Sequence, residues 1–446
     1  MNTKKYLRIL IIVLLLALIT ACSSPATEPV ADTDSPELVS PEEPVEEEAE
    51  EVVEEVVSVV NVSFWHTYNE ESPENEMLTN TLIPMFEEAH PEIKIESLSV
   101  AYPDFRTKLM TAIAGGVAPD LIRADIIWVP EFADMGALAA LDDLMPDFND
   151  YAEKVFPGPL STNYWNGHYY GLPLDTNTKV MLQNSDVLTA AGIDQPAKTV
   201  DEFWAQCAAV KQANQDTYLF AADGTFAWVM LPWIWSGGGN IMDEGFTTAD
   251  GYLNGPETVA VYEMWLDMYK EGCIAPTMLG EGIDTFSGVG QGLYAGFDNG
   301  PWTYPILAGQ YEDVELVASL FPAGQGGSVE VVGGEDVVLF EQSDAKDASV
   351  EFIRFLLSEE YQLKMAEVGQ IPVLSSAINS DYLQDHPYYG IFLEQLATAK
   401  ARPAHPLWSQ IDEIMTDAGQ LILREEMTVQ EALDEAVSKI NPLLGN

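Results

Sequence analysis

Positive charge is what this sequence has least of. Its 446 residues carry 19 Lys and Arg against 72 Asp and Glu, a formal net charge of −53 at pH 7. Binding nucleic acid requires Lys and Arg to neutralise phosphates, so nucleic acid is disfavoured as a partner. Direct docking of the folded surface on an anionic bilayer is disfavoured by the same sign argument. Cysteine is nearly as scarce, with three residues, Cys22, Cys207 and Cys273, and the five histidines are scattered. No zinc spacing exists, so no metal site is expected. Cys207 and Cys273 fit either a disulfide made outside the cell or two buried thiols, and the sequence leaves both open. Long apolar runs are missing too: residues 9–19 form one, too short to span a bilayer. There is no nucleophile elbow, metal motif or phosphate loop. Neither an enzyme nor a cofactor is expected.

What is present begins with Lys4, Lys5 and Arg8 ahead of that apolar run, which closes Leu18-Ile19-Thr20-Ala21-Cys22. A basic start, a short apolar stretch and a small residue before cysteine resemble a bacterial lipobox. Residues 1–21 are therefore expected to be a lipoprotein signal peptide. Cys22 would carry the lipid and hold the protein on the extracytoplasmic face of the membrane, at a cell surface or in a periplasm. An ordinary secretory signal with an incidental cysteine is the plainer alternative. Residues 23–57 hold thirteen Asp and Glu and no Lys or Arg. Such a stretch buries too little apolar surface to offset its chain entropy, and like charges extend it. Residues 22–58 read as an acidic, disordered tether. The remainder carries −43 by itself, so the folded part is strongly acidic. At about 390 residues it exceeds one typical domain, and two lobes are expected.

Residues 59–144 organise that remainder. Strand signals at Val60-Asn61-Val62-Ser63-Phe64, Ile93-Lys94-Ile95-Glu96 and Leu121-Ile122 alternate with helical patterns. Ser72-Pro73 opens the first helix, which is apolar at Leu78, Leu82, Phe86 and Ala89; Gly115-Gly116 stops the second, begun near Asp104. Alternation of this kind predicts an α/β fold with parallel pairing. Ligands of such sheets sit beyond the carboxyl ends of the strands. The residues there are Trp65, His66, Thr67 and Tyr68 after the first strand, and Asp125 with Trp128 after the third.

Four phrases in order, FWHTYN, FEEAHPEIKIE, AGGVAPDLIRAD and EFADMGALAALDDL, resemble those of the bacterial extracellular solute-binding proteins of family 1, the maltose-binding-protein-like lipoproteins that feed ABC importers. The resemblance runs on from residue 59 over nearly all of the chain. It implies a two-lobed periplasmic-binding-protein fold of type II with three hinge crossings and a ligand cleft between the lobes. The first lobe would span 59–173 with 320–357, and the second would span 174–319 with 358–446. On this resemblance Asp175 faces the cleft after the phrase YYGLPLDTNTKV. At least one of Trp228, Trp233 and Trp235 lies in the cleft, and Trp233 is expected there. Trp302, after Gly300-Pro301, stacks on sugar. Gly334 brings backbone near the ligand, with Glu335 beside it where the family often has an aromatic. Arg402 and Trp408 come from a late motif, ARPAHPLW. The expected ligand set is thus His66, Thr67, Tyr68, Asp125, Trp128, Asp175, Trp233, Trp302, Gly334, Glu335, Arg402 and Trp408. Aromatic faces suit the C–H face of a pyranose and carboxylates its hydroxyl rim.

Three function classes fit. The first is a monomeric sugar- or oligosaccharide-binding lipoprotein delivering to an ABC permease. The second is the same fold with a cationic or peptide ligand, suited by Asp125, Asp175 and Glu335. The third is a secreted glycoside hydrolase, which needs two carboxyls at fixed separation. The ordered phrases favour the first.

Overall fold

Val62 and Phe64 alternate with polar residues in β1 (Val60–His66) and are fully buried, as a half-buried strand requires. The computed structural model describes residues 59–445 except 312, 379–380, 382 and 384–387. The expected signal peptide, Cys22 and the tether lie outside the described residues. β1 pairs in parallel with β2 (Ile93–Ser99) on one side and β3 (Leu121–Asp125) on the other. Parallel neighbours need helical crossovers. The first runs through Pro73–Met77, a π turn at Leu78–Leu82 and Ile83–Ala89. Ser72 caps it, its hydroxyl accepting from the Asn75 amide at 3.2 Å. The second is α1 (Tyr102–Ala114), which buries Phe105, Leu109 and Ala112. α2 (Trp128–Asp134) follows β3.

A hairpin of β4 (Tyr164–Trp165) and β5 (His168–Tyr169) turns through Asn166 and Gly167, with φ of 45° and 99°. These are the left-handed values that an Asn-Gly turn adopts readily. β6 (Gly171–Asn177) then lies antiparallel to β10 (Val331–Leu339), which is also antiparallel to β3. The first sheet is therefore mixed: parallel at β2-β1-β3, antiparallel at β10 and β6, with β11 (Lys400–Ala401) beside the start of β10. Only Thr178 and Lys179 separate β6 from β7 (Val180–Asn184), the centre of a second, antiparallel sheet with β8 (Gly296–Asn299) and β9 (Leu316–Ser319).

Helices α3 (Val200–Ala213), α4 (Ala227–Ser236) and α5 (Pro256–Lys270) precede β8, and α6 (Thr303–Gln310) follows it. The expected capping box is present on α3, between Thr199 and Glu202. Cys207 on α3 is bonded to Cys273, just past α5. α7 (Lys346–Leu356) and α8 (Glu359–Ala366) come after β10. α9 (Trp408–Leu423) and α10 (Val429–Ile440) close the chain, the latter with the expected Thr428–Glu431 capping box.

Three apolar cores result among the described residues. One joins β1, the Ile83–Ala89 helix and α7 through Phe64, Phe86 and Phe352. A second gathers around β7 and β8 through Leu182 and Phe297. The largest runs from Phe105 and Trp128 to Trp233, Trp265 and Trp408. Past Ser358, where a return to the second lobe is expected, residues of both of the first two cores occur. Tyr361, Met365, Leu374 and Ala377 belong to the core around Phe64 and Phe352, while Ala366 and Ile371 belong to the core around Leu182 and Phe297. Among the described residues no helix is long and apolar enough to cross a membrane.

Candidate functional site

Alternation along β3 puts Arg123 and Asp125 on one face of the first sheet. Register brings Glu335 of β10 beside Asp125, and Asp175 of β6 beside Glu335. Three acids and an arginine thereby meet at the carboxyl end of the parallel strands. The Arg123 guanidinium lies 3.1 Å from Asp175 and 2.6 Å from Glu335. It also donates to the Thr67 hydroxyl at 2.9 Å and sits 4.2 Å over the Tyr68 ring. Tyr68, Asp175, Tyr361 and Gln370 line one narrow crevice.

Asp125 heads a second group. Its Oδ2 accepts from the Tyr102 hydroxyl at 2.8 Å. Its Oδ1 accepts from Arg402 at 2.8 Å and from the Ile127 amide at 3.1 Å. Arg402 in turn lies 5.0 Å from the centre of the half-buried Trp228 ring. Lys179, in the short link between the sheets, builds a third group. Its ammonium bonds Asp298 of β8, donates to the Trp228 carbonyl at 2.9 Å and lies 3.9 Å from Glu330, the residue before β10. Trp228 thus joins the Asp125 and Lys179 groups.

Burial dominates the electrostatics. It pushes the Glu335 carboxyl well above its ordinary range, opposed by Arg123 and reinforced by Asp175. Glu330 rises to about 8 by burial, with Lys179 opposing. Asp412, which accepts from the Ala227 amide, rises to about 6 for the same reason. His66 falls to about 3, by burial first and then by the charge of Arg123. A buried group resists its charged form unless a partner compensates.

Thr67, Tyr68, Asp175 and Glu335 meet around Arg123, and Asp125 meets Arg402. Other expected residues are placed differently. Trp233 is a core residue, 1 % exposed, with Trp204, Trp265, Phe220 and Phe321 around its ring. An indole so enclosed has no face left for ligand, and deleting it would cost about 3–5 kcal/mol of packing. Trp408 is likewise in the core. His66 is fully buried against the Ser97 hydroxyl at 2.9 Å. Trp128 is buried and stacked with Phe105 and Tyr102. Gly334 has φ of 137°, and a Cβ there would meet the Asp175 carbonyl at 2.5 Å, so its close approach is to β6. Trp302 is half-buried, and its ring folds over Gly300, where a Cβ would meet it at 2.1 Å.

Sequence reasoning missed Arg123, Lys179 and Tyr102. An arginine and a lysine within apolar strand phrases signalled a need for buried partners; Tyr102 carried no signal beyond its place after β2. Nor did spacing reveal that His168 comes within 3.4 Å of Asp142 and 3.6 Å of Asp143. These three are the one group among the described residues whose atoms could hold a metal ion. Histidine–carboxylate pairing on a part-exposed surface accounts for them.

Residues 81–390 match the sequence family described as bacterial extracellular solute-binding protein. The chain belongs to that family. A maltotriose-binding protein of Pyrococcus abyssi is 25 % identical over 80 % of this chain and 78 % of its own length. The sn-glycerol-3-phosphate-binding periplasmic protein UgpB of Pectobacterium atrosepticum is 23 % identical over 87 % and 92 %. Among solved structures, an ABC transporter solute-binding protein from Thermotoga lettingae bound with α-D-tagatose superposes with a TM-score of 0.80. It is 24 % identical and covers 86 % of this chain and 100 % of that one. The fold of this solute-binding protein is accordingly the two-lobed type II periplasmic-binding-protein fold. The family is one of binding proteins rather than enzymes.

Proposed function

We propose that this solute-binding protein captures a sugar or oligosaccharide between its lobes and delivers it to the permease subunits of an ABC importer. One lobe comprises the first sheet with its helices through Ala377. The other comprises the second sheet with α3–α6, α9 and α10. Among the described residues, links at Thr178-Lys179 and residues 320–330 join them. Closure about those links traps the ligand and is the state that the permease reads.

The observation that supports a neutral ligand is the charge balance at the strand ends. Arg123, Arg402 and Lys179 are each paired with a carboxylate already, and five carboxyls (Asp125, Asp175, Asp298, Glu330 and Glu335) surround the three cations. A phosphate of the kind named for UgpB needs an uncommitted arginine or lysine, and these three are taken. Hydroxyls need acceptors and a ring to lie on, and Trp228 and Trp302 are both half-buried. The maltotriose-binding relative supports the same ligand class.

A thermal-shift screen of the chain from Ser23 onward tests this. A ligand that binds only the folded state adds about 2.7 kcal/mol at 100 times its Kd. A rise of several degrees with one sugar class, and the sugar recovered intact, is the expected result. A rise with polyamines, peptides or glycerol phosphates alone overturns the sugar reading, and released monosaccharide replaces it with a hydrolase. The anchor has its own test: Cys22→Ser in the full chain is expected to move the protein from the membrane fraction to the soluble one.

A further inference from the structure

The segment after β1 contributes Thr67 and Tyr68 to the ligand-facing edge of the first sheet, and β3 contributes Asp125. β2 contributes a short loop after Ser99 that leads into Tyr102, the first residue of α1. Tyr102 is 44 % exposed, yet its hydroxyl is sealed against Asp125 Oδ2 at 2.8 Å. Burial, reinforced by the Asp125 charge, holds that hydroxyl well above the ordinary phenol range. The ring lies on Trp128, centroids 5.4 Å apart and planes at 22°, and Trp128 lies on Phe105 at 5.4 Å and 5°. A surface tyrosine ordinarily keeps its hydroxyl in water and its ring free to turn. Here the hydroxyl is tethered and one side is stacked, so the side chain gives up rotamer freedom in order to hold a bare aromatic surface in one place.

We infer that Tyr102 is an aromatic platform on which the ligand stacks, and that Asp125 is the positioning residue that holds it there. The inference rests on the sugar reading above. A fixed aromatic ring costs little further entropy on binding and covers the C–H face of a pyranose. Asp125 has little capacity left for ligand hydroxyls. One oxygen takes the Tyr102 hydroxyl and the other takes Arg402 and the Ile127 amide. Its contribution passes through the ring it orients and through Arg402, which it turns toward Trp228.

The experiment is a titration of the chain from Ser23 onward with the sugar found in the screen, together with hydroxyl-radical footprinting. Tyr102→Ala is expected to weaken binding by about 10-fold or more while the unliganded melting temperature stays within about 2 °C. Tyr102→Phe keeps the ring and loses the tether, and Asp125→Asn weakens the same tether; both are expected to fall between wild type and Tyr102→Ala. Oxidation of Tyr102 is expected to drop when wild-type protein is saturated with sugar, a change that a purely structural role would not produce. Wild-type protein that binds sugar while Tyr102→Ala binds it equally well overturns the platform, as does unchanged oxidation of Tyr102. Wild-type protein that binds no sugar overturns the sugar reading itself, and the two failures are thereby told apart.

Discussion

Glu335 and Asp336 are neighbours on β10 and stand on opposite faces of one sheet. Both carboxyls are pushed upward, in each case chiefly by burial. Their surroundings differ. Glu335 is 2.6 Å from the Arg123 guanidinium, which it shares with Asp175. Asp336 has no ion pair among the described residues. It accepts from the Asn163 amide at 2.7 Å and the Thr162 hydroxyl at 3.0 Å. On the face where ligand is expected, then, the acids are gathered around a cation. On the opposite face an acid is accommodated by staying neutral. One strand shows both ways of placing a carboxyl out of water, and only the first leaves a polar surface for binding.

The largest expected effect comes from taking the cation out of the paired face. Arg123→Met leaves Asp175 and Glu335 buried together with nothing to balance them. Removing one partner of a buried ion pair typically costs about 3–5 kcal/mol, because the orphaned charge stays behind. Urea unfolding at pH 8 is expected to show a loss of that size. The loss should shrink as the pH is lowered, because burial already biases Glu335 toward its protonated form. A loss under about 1 kcal/mol would break the comparison, since it would mean that the face does not depend on its pairing.

Much of this architecture is legible in the sequence because periodicity and end signals are local. The alternation at Val62 and Phe64, the Ser72 cap, the Asn166-Gly167 turn and the two Thr–Glu capping boxes all stand where their residue types demand. The membership of the site is less legible, because residue chemistry does not reveal which way a side chain points. Trp228 and Trp233 stand on the same short helix. One meets Arg402 and Lys179, while the other is enclosed by aromatic rings. Nothing in the string FAWVMLPWIWS separates them. Arg123 went unseen for the opposite reason. Its partners Asp175 and Glu335 come from β6 and β10, far along the chain, and only strand register brings them together. The boundary expected near Ser358 is not legible from its capped helix start, because such a start looks the same whichever core the helix then joins, and α8 contributes to two.

The smaller effect sharpens the other side of the comparison. The folded-state pKa of Asp336 is about 8, raised from 3.8 by burial with no cation to oppose it. Between those values the folded chain holds a proton there that the unfolded chain has released. The contribution of this site to stability is therefore full below about pH 4 and declines as pH rises toward 8. Above that, folding buries an unpaired carboxylate. Asparagine has the same shape and never ionises. Asp336→Asn is expected to be more stable than wild type by about 2 kcal/mol at pH 8.5, with the advantage narrowing toward zero near pH 4. Glu330 at about 8 and Asp412 at about 6 act in the same direction in both proteins. The informative quantity is therefore the difference between the two melting curves across pH, not the slope of either. A difference that grows with pH shows that the opposite face is held by a neutral acid. A difference independent of pH would mean that Asp336 is charged in the fold, and the contrast with Glu335 would fail.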